Sequence, residues 1–247
     1  MFLQQLLAPF SARAAVVKAR DELVAAVGDR GASGSAQRRR RADAAVASLA
    51  ARAVEAGGRL DLDALGPAPF EVVYASGGFP LWRTTSELAE RLGGVFGSGR
   101  RAREESSGGS GGGVVASQQF DPRSRRLVNR VAYGGPIAIS AYGEYEPLDE
   151  RLTLPAAVRA DVKGGRLELG GGGGEDGGGG RSIGLPFIRG EGRFEVLYAD
   201  REVRVFRSVG PGGTAAISVQ MPRRGGKEAK SGAAGQRRRR GGAAAAG

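Results

Sequence analysis

The chain contains no cysteine and no histidine. Those two absences remove disulfide staples, thiolate nucleophiles, zinc sites built on Cys or His, and every Ser-His-Asp arrangement. Catalysis is left with carboxylate, lysine or tyrosine groups, and no motif gathers them. Aromatic residues make up only 6% of the chain. Long apolar runs are missing as well. None reaches the 18 or so residues that a membrane-spanning helix requires. No metal and no cofactor is expected.

Acidic residues are scarce where basic ones cluster. The segment from Arg223 to the C terminus carries eight basic residues against one acid, and the run Arg38 to Arg41 adds four more; together they account for the whole net charge of +11. The remainder is neutral. A neutral body with basic appendages argues against a dedicated nucleic-acid face. Both runs read as solvated, disordered segments, or as a means of reaching an anionic surface, at roughly 1 kcal/mol per basic residue near anionic lipid. An RNA-binding protein acting through these tails is the alternative. Residues 1–20 lack acids and carry Arg13, Lys18 and Arg20, faintly like a transit peptide. The ten or so residues ahead of the first expected helix are short for one.

Glycine is what the chain has in excess, 44 of 247 residues. Two runs, 106–113 and 170–180, lack the spacing and the Lys-Ser/Thr ending of a phosphate loop and read as spacers. Ahead of them, Ser11 is a plausible N-cap for a helix over 11–27 with Val16, Ala19, Leu23 and Val27 on one face, stopped by Gly28. A Gly/Ser/Arg loop over 28–41 follows. A second helix, 42–56, aligns Ala42, Val46, Leu49 and Ala53 and ends at Gly57-Gly58. Their faces are too thin for a bundle and are expected to pack on a sheet.

From Phe70 the period becomes that of strands. Runs at 70–76, 114–120, 126–133, 137–146, 157–162 and 166–169, then three within 192–221, give about nine strands without crossover helices, which favours an antiparallel barrel or half-barrel over a parallel sheet. The organisation expected is an extension over 1–10, a helical segment over 11–58, a β domain over 66–222 and a disordered basic tail over 223–247. In the closing hairpin Phe194, Val196 and Tyr198 share one face, Val203 and Val205 share one, and Phe206 points to the opposite side, toward a helix or a membrane.

The segment from Gly192 to Arg207, with Tyr198-Ala-Asp200 at its turn and Arg204 and Arg207 after it, resembles the C-terminal signature of the plastid lipid-associated protein (fibrillin) family. Phe70-Glu-Val-Val-Tyr74-Ala-Ser76 is similar to that family's first-strand motif. Gln118 to Asp121 and Leu127-Val-Asn129-Arg-Val-Ala-Tyr133 are similar to its next two strands. The resemblance spans roughly residues 12–222. Arg193, Phe206 and Ser208 depart from the pattern. The resemblance implies a mainly β, lipocalin-like antiparallel barrel or half-barrel with two N-terminal helices. It implies a non-enzymatic plastid protein at plastoglobules or thylakoids, on a peripheral membrane or lipid-droplet surface, that binds or organises carotenoids, prenylquinones or fatty acids, with no specific nucleic-acid partner.

On this reading Tyr74, Tyr133, Tyr198, Val203 and Val205 line an apolar calyx, and Asp200, Arg204 and Arg207 form a polar rim. Asp200 reads equally as a turn former matched by a strand Arg. Phe120, Tyr142, Tyr145 and Phe194 are lining or core. The segment 79–82, Phe-Pro-Leu-Trp, caps the barrel mouth, dips into a lipid interface or packs as an ordinary loop. A hydrolase would have only carboxylate pairs such as Glu144 and Glu146, which on one strand usually face solvent.

Overall fold

Alternation of apolar and polar residues from Phe70 onward produces nine strands, and every ladder between them is antiparallel. The computed structural model describes residues 2–28, 35–76, 114–133, 137–170, 181–209 and 215–223. The 79–82 segment, the 106–113 spacer, the 170–180 spacer beyond Gly170 and the tail after Arg223 lie outside the described residues.

Two helices come first, α1 (Phe2–Gly28) and α2 (Ser35–Glu55). The strands are β1 (Phe70–Ser76), β2 (Val114–Asp121), β3 (Arg126–Tyr133), β4 (Ile137–Pro147), β5 (Ala156–Leu169), β6 (Arg181–Leu185), β7 (Gly190–Ala199), β8 (Arg204–Val209) and β9 (Ala215–Pro222). Along the sheet the order is β4-β3-β2-β1-β9-β8-β7-β5-β6, with a further β4–β5 pairing. Because β5 pairs β4 on one edge and β7 on the other, eight strands return on themselves as a hydrogen-bonded ring. The outer half of β5 carries β6.

Contacts between non-adjacent strands identify the inner face. Phe120 of β2 lies 5.1 Å from Tyr145 of β4, 6.2 Å from Phe194 of β7 and 5.8 Å from Phe206 of β8, ring centroid to ring centroid. Such contacts can be made only across the ring. Leu60, Leu65 and Leu154 join this cluster, so the segment between α2 and β1, with its 3-10 turn Leu62–Leu65, closes that end. The outer face of β7, β8, β9 and β1 is covered by α1 and α2 through Ala19, Leu23, Val46, Leu49, Leu197, Val203, Val205 and Val219.

The two expected helices and their packing on the sheet match, and the strands again total nine although the set differs. Four details differ. Helix α1 starts at Phe2 and runs through Ser11, because the helix-forming residues 2–8 extend it. Arg38 to Arg41, expected in a disordered loop, are exposed residues of α2. The runs 157–162 and 166–169 are one strand, β5, whose Lys163 is left unpaired where the register shifts opposite Tyr142 and Gly143. Strand β6 was not expected, since Arg-Ser-Ile-Gly-Leu is short and interrupted by Gly184.

Candidate functional site

The closing hairpin was expected to put Tyr198, Val203 and Val205 beside Tyr74, and it does: all four belong to one cluster. That cluster lies under the helices, not inside the ring, and Tyr198 alone of the four also touches the inner cluster. The assignment of Tyr74, Tyr198, Val203 and Val205 to an inner calyx is therefore corrected. Two β-bulges cause the reversal. Strict alternation puts Tyr74 on the face of Phe70 and Val72, but the β1–β9 register shifts between Val72 and Tyr74, and Tyr74 pairs with outward-facing Val219. The same happens between Val196 and Tyr198, so that Tyr198 pairs with Val205. An extra residue in a ladder turns the next side chain to the other face.

Both tyrosines serve helix docking. The Tyr74 hydroxyl donates to Asp43 Oδ1 of α2 at 2.6 Å, and burial, with Asp43 second, pushes its pKa up to about 12. The Tyr198 hydroxyl donates to Asp200 Oδ2 at 2.9 Å; burial first and this bond second hold its pKa well above the usual value. Asp200 also accepts from the backbone N–H of Glu202 and Val203, each at 2.7 Å, and its other oxygen meets Arg20 of α1 at 3.4 Å. This is a turn-forming carboxylate that also ties α1 to the hairpin. Arg207 is paired with Glu195 on the neighbouring strand, on the same outward face. Asp200 and Arg207 thus lie away from the inner face.

Arg204 is different. Expected at a rim, it is only 1% exposed and pairs with Gln220 across the β8–β9 ladder, on the inner face shared with Phe206. Phe206, expected to meet a helix or membrane, belongs to the cluster inside the ring. The Arg204 guanidinium lies 3.4 Å above the Phe70 ring and 5.9 Å from that of Phe120. Its Nη2 donates to the Gly66 carbonyl at 3.4 Å, while Nε and Nη1 have no partner among the described residues. Burial without a carboxylate nearby pushes its pKa down to about 9.

Next to it runs a buried amide relay. Gln220 Nε2 donates to Gln118 Oε1, and Gln118 Nε2 donates to Asn129 Oδ1, both at 2.7 Å. The relay crosses from β9 to β2 over β1, and so runs inside the ring. Ser208 and Ser218, also buried, share the inner face on β8 and β9. Sequence reasoning used Gln118 and Asn129 only as motif letters and passed over Gln220, Ser208 and Ser218. The signal was present: polar residues at inward positions of otherwise apolar strands.

Of the expected lining residues, Tyr133 keeps the inner face. It continues the Leu127, Asn129, Val131 alternation and packs beside Ile137 and Leu169 at the end of the ring away from the aromatic cluster. Its β2 partner, Val114, is 65% exposed. Phe120, Tyr145 and Phe194 are core at the closed end, and Tyr142 is an exposed residue packed on Gly164. Glu144 and Glu146 are both exposed, and Glu146 accepts from Arg159 at 2.9 Å. Among the described residues no three His, Cys, Asp or Glu side chains gather as metal ligands would, and no helix is long and apolar enough to cross a membrane. No family model matches the chain, and no curated protein matches it in sequence.

Proposed function

We propose that the chain is a non-enzymatic binding protein of the plastid lipid-associated (fibrillin) type, a lipocalin-like barrel that binds or organises hydrophobic metabolites at plastoglobules or thylakoids. One observation carries the reading. The eight-strand ring is filled by aromatic and leucine side chains at one end, whereas apolar inward positions at the other end, Val114 and Ala75, are exposed and Ala116 is half-buried. An eight-strand ring is either filled by its own side chains or left with room for one small ligand, and here its middle is walled by small side chains such as Ala116, Ala141, Ser208, Ala216 and Ser218, which favours the second. Apolar walls with a few placed polar groups are what small-molecule sites are made of.

Supporting this are the resemblance of the β1, β2–β3 and β7–β8 segments to the fibrillin motifs and the exposed Arg38 to Arg41 on α2, suited to an anionic lipid surface. The test is to isolate the protein from plastid membranes, identify co-purifying carotenoids, quinones and fatty acids by mass spectrometry, and titrate the delipidated protein with Nile red. Stoichiometric co-purification and saturable binding are expected. Lipid-free protein that leaves Nile red in water would overturn the reading.

A further inference from the structure

Seven buried side-chain atoms lack a hydrogen-bond partner among the described residues: Asn129 Nδ2, Tyr145 Oη, Arg204 Nε and Nη1, Ser208 Oγ, Ser218 Oγ and Gln220 Oε1. All seven belong to residues on the inner face of the ring. Asn129 and Ser218 follow the alternation of Leu127 and Phe206, Tyr145 touches Phe120 across the ring, Gln220 and Arg204 face each other, and Ser208 pairs with Phe194. Ser140, the one buried polar side chain of the described residues that faces outward, is paired with Glu168.

Leaving a buried donor or acceptor unmade destabilises a fold, and more so where the group is charged. Such a concentration is tolerated when a bound group or buried water completes it. The character of the set says which group. Six of the seven atoms are donors or hydroxyls able to donate, one acceptor remains, and the single formal charge is positive. The guanidinium is already placed: its central carbon lies 3.4 Å from the centre of the Phe70 ring, Nη2 is engaged by Gly66, and two nitrogens are left over. Arg204 and Tyr145 lie close enough for each to bear on the other's ionisation. A carboxylate offers two oxygens with about four acceptor sites and the matching charge. From Gln118 to Val114 β2 runs four residues, about 13 Å, and ends at the exposed apolar positions.

We propose that the molecule held in the ring is a long-chain carboxylate whose head is received by Arg204 and Tyr145 and whose tail runs toward Val114 and Tyr133. This rests on the ligand-holding reading above and adds the charge and orientation of the ligand. A neutral carotenoid or quinone would leave the guanidinium uncompensated.

The experiment is displacement of Nile red from the delipidated full chain by palmitate, methyl palmitate and hexadecanol, below their aggregation concentrations. Palmitate should compete at least tenfold better than either neutral analogue. Tyr145→Phe, which removes one hydroxyl and no volume, should weaken palmitate several-fold, and Arg204→Met should weaken it tenfold or more. Both variants should weaken palmitate by a larger factor than hexadecanol. Equal competition by acid, ester and alcohol in the wild type would overturn the proposal while leaving the ligand-holding reading intact. So would an acid preference that survives in both variants, since other groups would then receive the head. Failure of Nile red itself to bind would overturn both.

Discussion

Arg204 is the residue on which the account turns, because it holds a buried guanidinium with two unpartnered nitrogens inside the ring. Taking an unpaired guanidinium out of water costs several kcal/mol, which stacking on Phe70 offsets by about 2 kcal/mol. Arg204→Met, similar in volume and apolar, should therefore unfold at neutral pH with a stability equal to the wild type or up to about 2 kcal/mol greater. The pH dependence has a definite sign. A cation whose folded-state pKa falls to about 9 binds fewer protons folded than unfolded between there and its ordinary value. The wild type should accordingly gain on the variant as pH rises past 9. Urea titrations at pH 7 and pH 10 check this; a loss of more than about 1 kcal/mol in the variant at pH 7 would contradict it. The sequence hid this burial because the first Arg of an Arg-x-x-Arg pair reads as a rim residue, and an unpaired charge is least expected in a core.

Tyr74 makes the opposite prediction at alkaline pH. Its phenol is held protonated up to about 12 by burial and Asp43, whereas the unfolded phenol ionises near 10. The folded state thus binds the extra proton, its contribution is complete below pH 10, and it is lost as pH rises toward 12. Tyr74→Phe should flatten the decline of melting temperature above pH 10. An unchanged alkaline slope would sink the assignment.

At the scale of elements, helix α2 shows how far local signals carry. Gly57 and Gly58 were legible as a terminator, and they form one: Gly58 N–H donates to Ala53 O at 2.8 Å, Gly57 N–H donates to Val54 O at 2.9 Å, and Gly57 has φ +63°. This is the left-handed helix ending that favours glycine. Space around Gly57 is open, so Gly57→Ala tests backbone strain alone and should cost about 1 kcal/mol in urea unfolding. No measurable cost would mean that the helix ends otherwise. Ala42, Val46, Leu49 and Ala53 were legible as the packed face, and all four are buried.

Strands were legible in their bounds and less so in their faces. β1 and β3 coincide with the expected runs, since flanking turn residues mark strand ends. The bulges at Val73 and Leu197 carry no such mark, being ordinary apolar residues without a nearby Gly. Each moved a tyrosine from the expected inner face to the helix side. The misplacing of the two tyrosines therefore has one physical source, a period-2 argument applied across an interrupted ladder.

For the whole molecule, closure of the ring separates two apolar regions that composition alone cannot tell apart. The outer one, with Val203, Val205 and Val219, is spent on the helices. The inner one combines an aromatic floor, a polar middle and an exposed apolar end. That division is a matter of which strands become neighbours, set by the β1–β9 and β4–β5 pairings between segments far apart in the chain; short-range patterns do not contain it.

The most direct measurement compares two neighbouring positions on β2. Ala116 points inward opposite Val131, and Val115 points outward opposite Ala132. Binding of Nile red and of palmitate is titrated with Ala116→Trp and Val115→Trp, each confirmed folded by circular dichroism. The account predicts that Ala116→Trp, by filling the interior, reduces binding at least tenfold, whereas Val115→Trp binds as the wild type does. Equal binding by the two variants would contradict a ligand held inside the ring.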